Sequence, residues 1–310
     1  MADQQQPKKK KQKKDKKQKF PRLEGNPMLD AYRATVKAWP KDMSKVLCAS
    51  LEPERRAELW GLMAEAGDAL RRRYAWAIPD ERALRVLAHY GPIVEVGAGK
   101  GYWCALLQAR GVDAVAFDAK PPPETFAAVR EGGPEALLGD AHRDRSLLLC
   151  YPDDECQADL DDGEDLSSPD AWGADDAADD DDEAPSLALS CLRAYGGDVV
   201  VVVGEAVGTG TLALSSAPWG RSCDSLFQVE LAASFHPVLV AKLPRWPLSK
   251  DAIAVWVRTR VCPIVFEKDS DDEEEEEEEE EDGWADIPVD EQIDPDCAAP
   301  CAKHLLTMPP

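Results

Sequence analysis

One stretch, Ile93-Val94-Glu95-Val96-Gly97-Ala98-Gly99-Lys100-Gly101-Tyr102, constrains the fold more than any other part of the chain. Its first four residues are a short, mostly apolar run of the kind a buried strand uses. Alternating glycines then stop the run. They let the backbone bend sharply and approach a ligand with no Cβ in the way. Tyr102 to Arg110 is helical in pattern and ends at Gly111. A strand, a glycine turn and a helix in this order describe one half of a βαβ unit. The helix start adds free N–H groups and a positive dipole end.

The alternation continues beyond this unit. Val112 to Phe117 is β-rich and stops at Asp118, and a strand is expected around Ala136–Leu138 before Gly139-Asp140. Leu147 to Cys150 reads as a buried strand, Ser186 to Tyr195 as a helix, and Val199–Val203 as the clearest strand of all. Ser225 to Phe235 reads as a helix, and Val238 to Leu243 and Ala252 to Val257 as closing strands. Strands alternating with helices imply an α/β fold, a mainly parallel sheet with helices on both faces. Upstream, residues 27–47, 53–74 and 79–90 have helical patterns, with Pro53 suited to a first turn.

Charge divides the chain. Residues 1–20 hold nine Lys and two Asp; residues 153–183 hold sixteen acids and no base; residues 267–296 hold nineteen acids and one Lys. These segments account for nearly all of the net charge of −24, so the remainder is close to neutral. They carry too little apolar surface to offset the entropy of ordering. The expected organisation is a disordered basic tail (1–22) and one α/β domain with an N-terminal helical cap (23–266). A disordered acidic insertion (153–185) interrupts the domain, and an acidic C-terminal tail (267–310) follows it. The longest strongly apolar run, Val199–Val203, is far short of the about 20 residues a membrane helix needs. The lysine-rich opening predicts no secretory leader. Nine cysteines without a Cys-x-x-Cys pair suit a reducing compartment, cytoplasmic or nuclear.

The glycines discriminate between ligands. A dinucleotide loop places its third glycine three residues after the second, whereas here the spacing is Gly97, Gly99, Gly101. The strand also carries an acid, Glu95, two places before the first glycine. Together with Asp118 and Asp140, each at the end of a later expected strand, this pattern resembles the class I S-adenosylmethionine-dependent methyltransferase superfamily. Tyr74-Ala75-Trp76-Ala77-Ile78-Pro79, Leu192–Tyr195 and Pro244–Pro247 are similar to an uncharacterised eukaryotic methyltransferase-like group. The resemblance covers roughly residues 74–258. It implies a Rossmann-like sheet of seven strands in the order 3-2-1-4-5-7-6, with strand 7 antiparallel.

It also implies S-adenosyl-L-methionine as cofactor, held by Glu95, Gly97, Gly99, Gly101, Asp118, Asp140 and Ala141. A carboxylate such as Asp118 can accept hydrogen bonds from both ribose hydroxyls. Tyr151, in Leu149-Cys150-Tyr151-Pro152, stands where members of the superfamily face the transferred methyl, and is the candidate catalytic residue. The Asn/Asp-Pro-Pro-Tyr motif that positions the amine in some amino-methylating members is absent, which disfavours nucleic-acid base methylation.

The methyl acceptor is not specified by the sequence. The acidic insertion leaves the sheet close to the expected mouth. It would repel phosphate backbones, which disfavours nucleic acid there, and attract a basic protein or this chain's own lysine tail. The competing expectation is a non-catalytic methyltransferase-fold protein that binds basic partners through its acidic segments. Cys297, Cys301 and His304 fall one ligand short of a closed zinc site, so no metal is expected.

Overall fold

A computed structural model of the protein describes residues 23–46, 50–140, 142–153, 185–205, 222–246, 249–259, 297–299 and 301–306. The lysine tail, almost all of the acidic insertion and most of the acidic C-terminal segment lie outside the described residues. So does any association between them.

The expected sheet forms. The strands are β1 (Ile93–Val96), β2 (Ala114–Asp118), β3 (Val129–Glu131), β4 (Ser146–Cys150), β5 (Val199–Glu205), β6 (Phe235–Lys242), β7 (Asp251–Arg258) and β8 (Cys297–Ala298). Their order is β3-β2-β1-β4-β5-β7-β6-β8. The first five run parallel, with Ile93 opposite Ala114 and Ser146, while β7 lies antiparallel between β5 and β6. The seven-stranded Rossmann-like order is thus present, extended by a two-residue edge strand.

Both faces of the sheet are covered, which is why its inner strands read as unbroken apolar runs. On one face α1 (Pro27–Ala38), the end of α2 (Pro53–Arg73), α3 (Glu81–His89) and α4 (Tyr102–Ala109) bury Met28, Leu70, Leu87 and Leu106 against Ile93, Leu148, Val201 and Ile253. On the other, α5 (Leu187–Ala194) and α6 (Ser225–Ser234) bury Leu189, Phe227 and Leu231 against Val94, Leu147, Val200 and Val202. Successive valines of β5 therefore serve opposite cores.

Three local expectations are corrected. The helix expected to run through residue 47 stops at Ala38; Trp39, which precedes Pro40, is extended, as the proline ring requires. The strand expected around Ala136–Leu138 is instead a 3-10 turn over Pro134–Leu137. Pro134 supplies a first-turn geometry there, and Glu135 accepts the Gly133 N–H at 2.7 Å. The third strand is the more polar Val129–Glu131, an edge position that needs no apolar run. Finally, the chain after the acidic tract returns to the sheet. β8 pairs with β6, and α7 (Lys303–Leu306) follows it, with Ala302 and Leu305 buried on the side of α3.

Candidate functional site

In this topology the carboxyl ends of β1, β2, β4 and β5 lie along one edge of the sheet, the edge where open α/β sheets bind ligands. The amino end of the antiparallel β7 lies there too, because Asp251 pairs opposite Glu205.

Gly97, Gly99 and Gly101 follow β1, and all three have left-handed backbones, with φ of 73°, 51° and 66°. They are not equivalent. A Cβ on Gly101 would lie 2.7 Å from Val129 Cγ2, so that glycine lets the loop pack on β3. A Cβ on Gly97 would lie 3.1 Å from Leu187 Cδ2 of α5. A Cβ on Gly99 would meet nothing within 4 Å. Gly99 is the point at which bare backbone faces open space.

Asp118, at the end of β2, is tied to this loop. Its Oδ2 accepts the Gly99 N–H at 2.7 Å, and its Oδ1 accepts the Lys120 N–H at 2.9 Å. Each oxygen keeps acceptor capacity beyond these bonds. The sequence grouped Glu95 with Asp118, but the structure places it elsewhere. Its carboxylate is 2% exposed and accepts the Cys104 N–H at 3.1 Å, in the first turn of α4. Glu95 therefore lies beneath the loop and fixes the helix that follows. Burial, with a smaller contribution from the Asp118 charge, pushes its carboxyl up to about 8. The same burial raises the thiols of Cys104 and Cys150.

Asp140 is not brought to the loop by any described contact. Its side chain is 90% exposed and faces Arg143 at 3.6 Å. Ala141 lies outside the described residues.

Tyr151 directly follows β4. Its N–H pairs with Val203 O at 2.9 Å, and its φ of 49° is unusual for an aromatic residue. The side chain turns across β5 to β7, where the hydroxyl donates to Asp251 Oδ1. Ser249 Oγ donates to the same oxygen. Asp251 is 3% exposed, and burial raises its carboxyl, opposed by these two hydroxyls. Glu205, half-buried at the end of β5, accepts the Lys250 N–H at 3.1 Å and is raised by burial as well. Trp76 lies beside Tyr151 with ring centroids 5.8 Å apart, and the Arg71 guanidinium sits 5.0 Å above the Trp76 ring.

Both roots of the acidic insertion meet this edge. Asp153 Oδ1 accepts the Ala188 N–H at 2.9 Å, which brings the insertion's start to its end. Leu187, just after the insertion, is the side chain that faces Gly97.

Sequence reasoning missed several supporting residues. Asn26 donates to Pro79 O at 2.7 Å and accepts from Tyr102 Oη at 2.9 Å and from the Leu29 N–H at 3.2 Å, so it ties α1 to the first residue of α4. Asn-Pro before a helix is a capping signal, yet it says nothing of the distant Tyr102. Phe126 packs on Tyr74 and Tyr102, and its N–H reaches Lys100 O at 2.8 Å. Ser249 and Asp251 carried no signal, since a polar pair before a strand is ordinary.

Among the described residues no group of three His, Cys, Asp or Glu is arranged to hold a metal, and no helix is long and apolar enough to cross a membrane. Compared with models of protein families and with curated proteins, the chain matches none.

Proposed function

We propose that this chain is an S-adenosylmethionine-dependent methyltransferase. The observation that carries the reading is the pairing of Asp118 with Gly99. A carboxylate with spare lone pairs is held against a left-handed glycine whose outer side is open. A nucleoside laid over Gly99 would find an acceptor for its ribose hydroxyls in Asp118. The strand order, with its antiparallel β7, is the one the resemblance implied. The third glycine lets the loop approach Val129, whose Cγ2 would lie 2.7 Å from a Cβ there.

Of the expected residues, Gly99 and Asp118 suit the cofactor by their geometry. Gly99 would leave room for its amino-acid part, with Gly97 packed against Leu187 beside it, and Asp118 would hold its ribose. Glu95 and the first turn of α4 would keep the loop in shape. Asp140 and Ala141 would border the base, on the strength of the resemblance alone. When bound, the cofactor supplies a methyl group already activated on a sulfonium. The chain's own task is to align a nucleophile with that methyl and, where needed, accept a proton. Tyr151 is the proposed residue nearest the methyl. Four described thiols, Cys104, Cys150, Cys191 and Cys223, are buried and free, which supports a reducing cytoplasmic or nuclear setting.

Calorimetric titration with S-adenosylmethionine and with NAD tests the reading, repeated with Gly99→Val. Binding of the first ligand only, lost in the variant, is expected. Preference for NAD, or an unaffected variant, would contradict it. Binding without turnover on cell extract would favour the non-catalytic reading, in which the acidic segments hold a basic partner.

A further inference from the structure

We propose that His89, Cys297, Cys301 and His304 form a zinc site that pins the returning end of the chain to α3. In the sequence, Cys297, Cys301 and His304 fall one ligand short of a closed site. The fold supplies a fourth: His89, in the last turn of α3, lies against His304 of α7. His89 precedes the amino end of β1, so the site lies away from the glycine loop and is independent of the methyltransferase reading.

The His89 and His304 ring centroids are 5.4 Å apart, with the planes at 73°. An imidazole bound through nitrogen at about 2.0 Å has its ring centre about 3 Å from the ion, so two at a tetrahedral angle lie about 5 Å apart. The pair thus has the separation of two imidazoles on one zinc ion. Cys301 is exposed and free, and stands three residues before His304. The turn between them is closed by the Lys303 N–H on Ala299 O at 3.1 Å, so the two side chains leave on the same side. After burial, the Cys301 charge also raises the hydroxyl of Tyr90, the neighbour of His89, which puts the thiol within electrostatic reach of that corner. Cys297 is placed through its backbone, which pairs with Val240, while the Ala299 N–H bonds to Val238 O at 2.7 Å. Among the described side chains no three ligands converge. Closing the site takes a χ1 rotation of the exposed Cys301 and the Cys297 thiol.

Two thiols and two imidazoles are nitrogen and sulfur donors, which suit zinc rather than magnesium or calcium. The thiols bind as thiolates and release their two protons to water, so the filled site is neutral. A cross-link also answers a local need. β8 has two residues and α7 a single turn, both too short to hold by themselves. They follow a stretch with nineteen acids and one Lys between residues 267 and 296, and among their described residues only Ala302 and Leu305 are buried. An ion shared with α3 offsets the entropy of closing that loop.

The reduced full chain, stripped of metal by a chelator, is titrated with zinc chloride by calorimetry and with cobalt chloride by absorption spectroscopy. One ion per chain is expected, with the strong visible bands of tetrahedral cobalt and a near-ultraviolet thiolate charge-transfer band. His89→Ala, Cys297→Ser and Cys301→Ser should each weaken zinc about hundredfold or more, while His236→Ala leaves it within about twofold. Cys301 is exposed, so Cys301→Ser should stay folded by circular dichroism, and its loss of the charge-transfer band reads the site even where His89→Ala disturbs α3. Zinc should also slow tryptic cleavage after the exposed Lys303. A weak octahedral cobalt spectrum, as acidic side chains alone would give, would overturn the proposal. So would a tetrahedral spectrum unchanged in His89→Ala, cleavage after Lys303 indifferent to zinc, or no binding at all.

Discussion

Between β1 and β2 the candidate edge is made of backbone; between β4 and β7 it is made of side chains. The first region presents three left-handed glycines, with the N–H groups of Ala98, Gly99 and Gly101 taken by Phe117 O, Asp118 and Ala98 O. The second presents Tyr151, Ser249, Asp251 and Glu205, drawn together from two strand ends and from the start of an antiparallel strand. Each contains a buried carboxylate with a raised pKa, yet the partners differ. Glu95 is met by a backbone N–H, whereas Asp251 is met by two hydroxyls. A backbone site needs only glycine and a helix start in fixed order. A side-chain site depends on which distant residues the topology delivers.

The sharpest test of this difference uses pH. Burial keeps a proton on Glu95 up to about pH 8 in the folded chain, while an ordinary glutamate releases it near 4.5. Between these values the folded state binds more protons than the unfolded one, so stability falls as pH rises. The loss should be on the order of 1 kcal/mol per pH unit across the window. Urea melts of wild type and Glu95→Gln at several pH values should show a markedly flatter profile in the variant. Parallel profiles would mean that Glu95 is not the buried proton carrier.

The next largest effect separates glycines within the loop. Gly101→Ala combines a left-handed backbone with a Cβ 2.7 Å from Val129 Cγ2, and should cost about 2–4 kcal/mol. On the side-chain half, Tyr151→Phe should cost about 1–2 kcal/mol, because it takes a hydroxyl from the buried Asp251. Gly99→Ala should cost the least, about 1 kcal/mol, since its Cβ meets nothing and only the backbone objects. Denaturant melts at a single pH rank all three. Equal costs at Gly99 and Gly101 would erase the distinction between a packed and an open glycine.

The same contrast explains what could be read from the sequence. The order of the parallel strands and the glycine loop rest on contiguous signals: apolar runs buried on both faces, and glycines at a bend. The third strand was misplaced because Val129–Glu131 is short, polar and at the edge of the parallel part, whereas the apolar Ala136–Leu138 drew attention to a turn whose Leu137 merely fills the core. Glu95 was grouped with Asp118 because both stand at strand ends, and only the fold separates a carboxylate beneath the loop from one beside it. Asp251 was invisible because its partner is a hundred residues away, delivered by an antiparallel return. β8 was hidden within an acidic tail whose composition argued against any strand.

The most direct test of the central claim is a structure of the chain with S-adenosylhomocysteine bound. The account predicts ribose hydroxyls on Asp118, the ligand lying over Gly99, and Glu95 still beneath the loop on the Cys104 N–H. A ligand lodged elsewhere on the molecule, or an Asp118 that makes no contact with the ribose, would contradict it.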